Sequence, residues 1–231
     1  MDRSGAAREG EVERPAESRG ERKERTRRAI MDAALRLCED SSLVALSLRS
    51  VAKEVGIVPT AFYRHFSSID DLGLALVEES FVSLREMLRD VRRSDPNYRD
   101  IIDSSVRVLT EHTHSRHAHF AFIARERVAG PPGVRAAIRH QIELVERELA
   151  ADLSPIVDAD RWTPADLRVL SNMMVTSMVG TTEAILAAHP GEEPQIVQQA
   201  RTQLRMLLVG ALRWQSQDDQ DVVTSVPGAP A

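Results

Sequence analysis

A single cysteine, Cys38, in 231 residues excludes an intrachain disulfide and any metal centre built on clustered thiolates. A reducing cytoplasm is the compartment this composition fits. The thiol itself falls in a helical apolar pattern, where a buried and inert sulfur is expected. Long apolar runs are also missing. The best one, Leu170 to Ala188, is broken by Ser171, Asn172, Thr176, Ser177, Thr181, Thr182 and Glu183, so it reads as a buried or interface helix and not a membrane span. The N-terminus is charged throughout, so no signal peptide is expected. No Ser/His/Asp order, nucleophile elbow, Cys/His pair or glycine-rich phosphate loop is present, so the chain is expected not to be an enzyme and to need no cofactor. The net charge is −5, so the molecule as a whole does not advertise a polyanion partner.

Locally the balance reverses. Between Arg22 and Phe66 nine Lys/Arg stand against five acids, +4, which leaves −9 for the remainder. A basic end on an acidic body is the asymmetry expected when one end meets phosphates. Within that end, residues 47 to 66 read as two short helices joined by a tight turn, an arrangement that presents a helix to the DNA major groove. Ser47 is a good N-cap. Val51 and Val55 form one apolar stripe, and Ala52 is small where the second helix crosses. Gly56 stands where the first helix must stop. Ile57 fills the corner, Pro59 suits the first turn of the next helix, and Phe62 and Phe66 anchor it at i, i+4. Thr60, Ala61, Tyr63, Arg64 and His65 remain for the exposed face.

The rest is helical in period, with no two-residue alternation. The pattern predicts an all-α chain of about nine helices: a disordered arm over 1–20, a helix-turn-helix domain over 21–67, a larger helical body over 68–214, and a disordered tail over 215–231. The first helix is expected from Glu21 to Glu39, with Ile30, Ala33, Ala34 and Leu37 inward. Ser67 or Ser68, with Asp70 or Asp71 three residues on, caps a long helix to about Arg93. Asp95-Pro96, Pro131-Pro132, Pro155 and Pro190-Gly191 punctuate later helices near 97–114, 118–129, 132–153, 163–188 and 194–214. Thr163-Pro164-Ala165-Asp166 is a strong start signal.

Lys23-Glu24-Arg25-Thr26-Arg27-Arg28, Ser47-Leu48-Arg49-Ser50-Val51-Ala52 and Phe62-Tyr63-Arg64-His65-Phe66 together resemble the tetracycline-repressor (TetR) family of bacterial regulators. More narrowly, Pro59-Thr60 ahead of the aromatic motif, Asp71-Leu72-Gly73-Leu74 after it, Arg125-Glu126-Arg127, and Val134-Arg135-Ala136-Ala137 look like the subgroup that represses unsaturated fatty-acid synthesis and desaturase genes. The resemblance implies a homodimer bound to a palindromic DNA operator and regulated by long-chain acyl-CoA, with the body over 68–214 as the ligand-binding and dimerisation domain. It also implies phosphate contacts from Tyr63 and His65. An effector of another hydrophobic class, with efflux genes as targets, is the alternative, and a helical lipid carrier or enzyme is the rival from another class.

Around these motifs, Thr60 and Arg49 are candidates for base edges; a pair with Glu54 or a phosphate contact is the alternative for Arg49. Arg27 and Arg28 suit phosphate or minor-groove contacts. Ser47, Pro59, Ala61 and Arg64 complete the expected DNA-binding set. In the body, Phe81, Leu84, Met87, Leu88, Val106, Leu109, Phe122, Met174 and Met178 are expected to reach a pocket, together with Phe120 and Met173. Seven methionines suit flexible apolar ligands, because Met repacks cheaply. Arg125 and Arg127 are favoured for coenzyme A phosphates; the alternative is that the body arginines pair with nearby glutamates. His112, His114, His117 and His119 invite a metal reading, but their spacing scatters them over different faces, so no metal is expected. Small residues Ser177, Gly180, Thr181 and Ala184, then the stripe Ile196, Ala200, Leu204, Leu207, Leu208, Ala211 and Trp214, suit a helical dimer interface.

Overall fold

Capping chemistry sets the first element. In the computed structural model, which describes residues 18–94, 100–154 and 162–216, Ser18 Oγ accepts from the Glu21 backbone N–H at 3.1 Å and the Glu21 carboxylate accepts from the Ser18 N–H at 2.7 Å. This reciprocal box starts helix α1 at Arg19 and runs it to Asp40. Arg19 and Gly20 therefore belong to α1, with Ser18 as its N-cap, and not to the expected arm, the rest of which lies outside the described residues. A single 3-10 turn, Leu43–Ala45, leads to α2 (Leu48–Val55) and α3 (Pro59–Phe62). Then come α4 (Ile69–Ser94), α5 (Ile101–Ser115), α6 (His117–Ala129), α7 (Pro132–Leu153), α8 (Pro164–Ala187) and α9 (Glu193–Ala211). The described residues thus hold nine α-helices and no strand.

The start of α4 uses both serines. Ser68 Oγ accepts from Asp71 N–H at 3.0 Å, and the Asp71 carboxylate accepts from Ser67 N–H at 2.9 Å. At α8, Thr163 Oγ1 accepts from Asp166 N–H at 3.1 Å and Pro164 takes the first helical position. The chain then closes on itself, since Ser216 Oγ accepts from Thr163 N–H at 2.9 Å. Ser216 thus stands against the start of α8, while 217–231 lie outside the described residues, as do Asp95-Pro96 and Pro155. Helix α9 ends at Ala211 and not near 214.

One apolar core joins α1–α3 to the helices behind them. Ile30, Ala34 and Cys38 of α1, Val51 of α2, Phe62 and Phe66 pack with Leu72, Leu76 and Phe81 of α4, Phe122 of α6, and Val134 and Ile138 of α7. Leu35 is buried where Leu37 was expected; Leu37 packs only partly. Further back, smaller clusters sit between α4, α5 and α6 and between α5, α8 and α9.

Candidate nucleic-acid interface and ligand cavity

The N-terminal turn is built as its residues demand. Ser47 Oγ accepts from Ser50 N–H at 3.0 Å to open α2. Gly56, at φ 76°, closes it in the left-handed region, with its N–H and that of Ile57 returning to the last-turn carbonyls. Phe62 and Phe66 are buried with ring centroids 5.8 Å apart, which pins α3 and the turn after it against α1. With the aromatics inward, Arg49, Pro59, Thr60, Tyr63 and Arg64 are exposed, and Ala61 and His65 are half-buried. Tyr63 is 62% exposed, a large aromatic hydroxyl left facing solvent. Glu54, the alternative partner for Arg49, pairs instead with Arg36 at 3.6 Å.

Two expected members of the DNA-binding set are committed elsewhere in the fold. Arg27 lies over the Phe66 ring at 4.2 Å and donates to the His65 carbonyl at 3.1 Å, so it buttresses the exit of α3 from behind. Arg28 stands 3.6 Å from Glu79 on α4 but stays largely exposed. Ser47 is exposed, with its hydroxyl engaged in the cap. Burial, and then the cations Lys23, Arg27 and Arg64, hold the His65 imidazole below its usual range. Its Nδ1 is buried without a hydrogen-bond partner among the described residues.

Behind this surface, α4 to α9 enclose an apolar cavity of about 390 Å³, within the ~300–1,000 Å³ typical of small-molecule sites. Phe81, Leu84, Met87, Leu88, Leu109, Arg127, Met174 and Met178 stand on its wall, as does Phe120. Three expected residues do not. Val106 faces α9, packed on Ala200 and Leu204. Phe122 points to α1, in the N-terminal core. Arg125 donates to the Cys38 and Glu39 carbonyls at 2.9 and 2.7 Å, away from the cavity. Met173, expected nearby, is on the outer face, 48% exposed. The α7 wall, Ile142, Val145, Leu149 and Leu153, was not expected from the sequence, although its i, i+3, i+7, i+11 spacing is visible there. Nor were two ion pairs at the lining: Arg92 Nε donates to Asp152 at 2.9 Å, and Arg127 Nε to Glu183 at 2.7 Å.

The body arginines and histidines disperse. Arg116 pairs with Glu86, Arg135 donates to the Gly130 carbonyl, and Arg147 Nε donates to the Glu143 carbonyl. His112 meets Asp90 at 3.0 Å, His114 meets Glu193 at 2.9 Å, and His119 Nδ1 meets Ser80 Oγ at 3.1 Å. Of the α9 stripe, Ala200, Leu204 and Ala211 are covered by the chain's own helices, and Leu208 turns to the cavity. The outward apolar face is the adjoining one: Val169 and Met173 on α8, Met206 and Val209 on α9, and Leu212 just beyond it. No helix of the described residues is long and apolar enough to cross a membrane.

Comparison with known proteins agrees with this geometry. Residues 30–76 match the family model for bacterial regulatory proteins of the tetR family. Three solved structures share the fold. The fatty acid degradation regulator FadR from Bacillus halodurans has a TM-score of 0.62 at 15% identity, over 82% of this chain and 97% of that one. The reduced form of Escherichia coli NemR gives 0.60 at 15%, over 79% and 97%. The multidrug-binding protein EbrR, complexed with imidazole, gives 0.55 at 22%, over 84% and 98%. Residues 30–76 thus carry a segment matched by the tetR-family model, set on an all-helical fold that the chain shares with these solved structures.

Proposed function

We propose that the chain is a homodimeric repressor whose residues 21–67 bind a palindromic operator, while residues 68–214 carry the effector site and the dimer interface. The observation that carries the first part is the exposed polar surface of Arg49, Thr60, Tyr63 and Arg64, laid over the buried Phe62–Phe66 anchor. Tyr63 and His65 hold phosphates and set register, and Arg49 and Thr60 meet base edges. The outward face of Met173, Met206, Val209 and Leu212 supports the dimer, because a monomer would leave those side chains in water. Fluorescence anisotropy on the DNA upstream of its own gene tests the first part.

For the effector we propose a long-chain acyl-CoA, whose acyl chain lies in the cavity. The wall follows α4 from Phe81 to Arg92, roughly 16 Å at the helical rise, and adaptable Met87, Met174 and Met178 contribute to it. The desaturase-repressor likeness in the sequence and the shared fold with a fatty acid degradation regulator support the same reading. Arg125 has no part in it, and Arg127 already holds Glu183, so the chain and not the coenzyme phosphates carries recognition. A second reading, a hydrophobic cation that releases an efflux-type operator, is favoured by the lining charge: Glu148, Asp152 and Glu183 face two arginines. Adding oleoyl-CoA, then ethidium, to the protein–operator complex separates the two. Release by the thioester alone supports the lipid reading; release by the cation alone supports the second.

A further inference from the structure

Helix α6 has two working faces. Phe120, Ile123, Ala124 and Arg127 recur at helical spacing on the cavity wall. Between them Phe122, Arg125 and Glu126 turn toward α1 and the turn that follows it. We propose that Arg125 and Glu126 form a clamp through which filling of the cavity is passed to the DNA-binding helices; this rests on the reading of the cavity as an effector site.

The clamp is specific in its atoms. Glu126 is wholly buried, yet its carboxylate accepts the Leu43 N–H at 2.9 Å and the Ser42 hydroxyl at 3.2 Å. One residue earlier, the Arg125 guanidinium donates to the last-turn carbonyls of Cys38 and Glu39, groups that a helix end leaves without intrahelical donors. Four hydrogen bonds from two adjacent residues thus grip both sides of the chain between α1 and the 3-10 turn. The grip has little slack. A Cβ at Gly130 would stand 2.6 Å from the Glu126 carbonyl oxygen and 2.7 Å from Oε2, so the carboxylate is seated against the end of its own helix. On the other side, the Leu43 side chain occupies the space a Cβ at Gly73 would need, between α4 and Val134 of α7.

A buried carboxylate gains little stability over an apolar side chain of its size, because desolvation offsets its hydrogen bonds. What it adds is direction: the Leu43 N–H is held only while α6 keeps its position. A ligand pressing on Ile123 and Ala124 displaces the same two turns that carry the clamp. Because packed helices move as units and not by bending, the shift is delivered to residues 38–46.

Hydrogen exchange of the full-length protein, read on peptides covering residues 38–46, tests this. The cavity is filled in two ways: by oleoyl-CoA, and without any ligand by Ala124→Phe or, from the α8 wall, Val179→Phe. With the clamp intact, filling raises exchange at 38–46 about fivefold or more. In Glu126→Gln and in Arg125→Met, exchange there is already raised and filling adds little. Arg125→Met, at a half-buried position, keeps the test usable if Glu126→Gln does not fold. Two results overturn the proposal: unchanged exchange at 38–46 when the side chains fill the cavity, or an equal change with and without the clamp. If oleoyl-CoA leaves exchange in α4 and α7 untouched while the filling variants still act through the clamp, the effector reading falls and the clamp stands.

Discussion

At the scale of one residue, the phosphate contact proposed for His65 carries a consequence for pH. Burial and nearby cations hold His65 below its usual range in the free protein, whereas a DNA phosphate would favour its protonated form. The complex would then carry more protons than the free partners, so operator affinity should rise as pH falls from about 7.5 toward 6. His65→Ala should flatten that rise. In the same anisotropy measurement Tyr63→Phe should weaken binding by about 1 kcal/mol on every operator, because a phosphate contact carries no sequence information. A loss confined to one operator would reassign Tyr63 to base reading. Residue type was a good guide here only where the apolar pattern fixed which side faced in. Phe62 and Phe66 were legible as anchors, which left Tyr63 and Arg64 outward. Arg27 was not legible, because a cation that stacks on a buried ring and one that meets a phosphate are the same letter in the sequence. Arg125 misled for the same reason: its partners are backbone carbonyls of α1, distant in the chain.

At the scale of elements, caps and glycines set the geometry, and two glycines do so by different physics. Gly56 needs its left-handed φ and has open space where a Cβ would stand, so Gly56→Ala should cost about 1–2 kcal/mol from backbone conformation alone. Gly73 is an ordinary helical residue whose missing Cβ leaves room for Leu43, and a Cβ there would also stand 2.9 Å from Val134 Cγ2. Gly73→Ala should therefore cost roughly 1–3 kcal/mol through overpacking. Leu43→Ala should relieve much of that cost in the double variant, whereas no such rescue exists for Gly56→Ala. Urea unfolding of the wild type and the four variants reads both; additive losses at Gly73 and Leu43 would show that the notch is not a packing constraint. The serine and threonine caps at Ser47, Ser68 and Thr163 could be read from the chain, because each is a short-range pattern. The 3-10 turn at Leu43 and the start of α1 at Ser18 were missed: the first is fixed by Glu126 from far along the sequence, and the second lies in a stretch whose composition resembles a disordered arm.

At the scale of the whole molecule, the helix count was legible from periodicity and punctuation, but the partition of apolar surface was not. Periodicity marks a residue as facing something without saying what. Val106 and Phe122 thus face other helices and not the cavity, and the α9 stripe is largely spent on the chain's own α5 and α8. The dimer is assigned to the face beside that stripe, so Met206→Glu combined with Leu212→Glu should give monomers by sedimentation velocity with little change in thermal stability, since both positions are exposed. Gly180→Arg should do the same, because the space beside Gly180 is open within one chain and its obstruction matters only if a partner fills it. A dimer that survives both changes would move the interface elsewhere. Whether the surface of α2 and α3 holds operator DNA is read from the salt dependence of binding to the gene's own upstream segment. A saturable complex is expected, its log affinity falling linearly with log salt, competed poorly by unrelated DNA, with a shallower slope after Arg64→Ala. Binding equally strong to unrelated DNA, or an unchanged slope in that variant, would remove DNA from this surface.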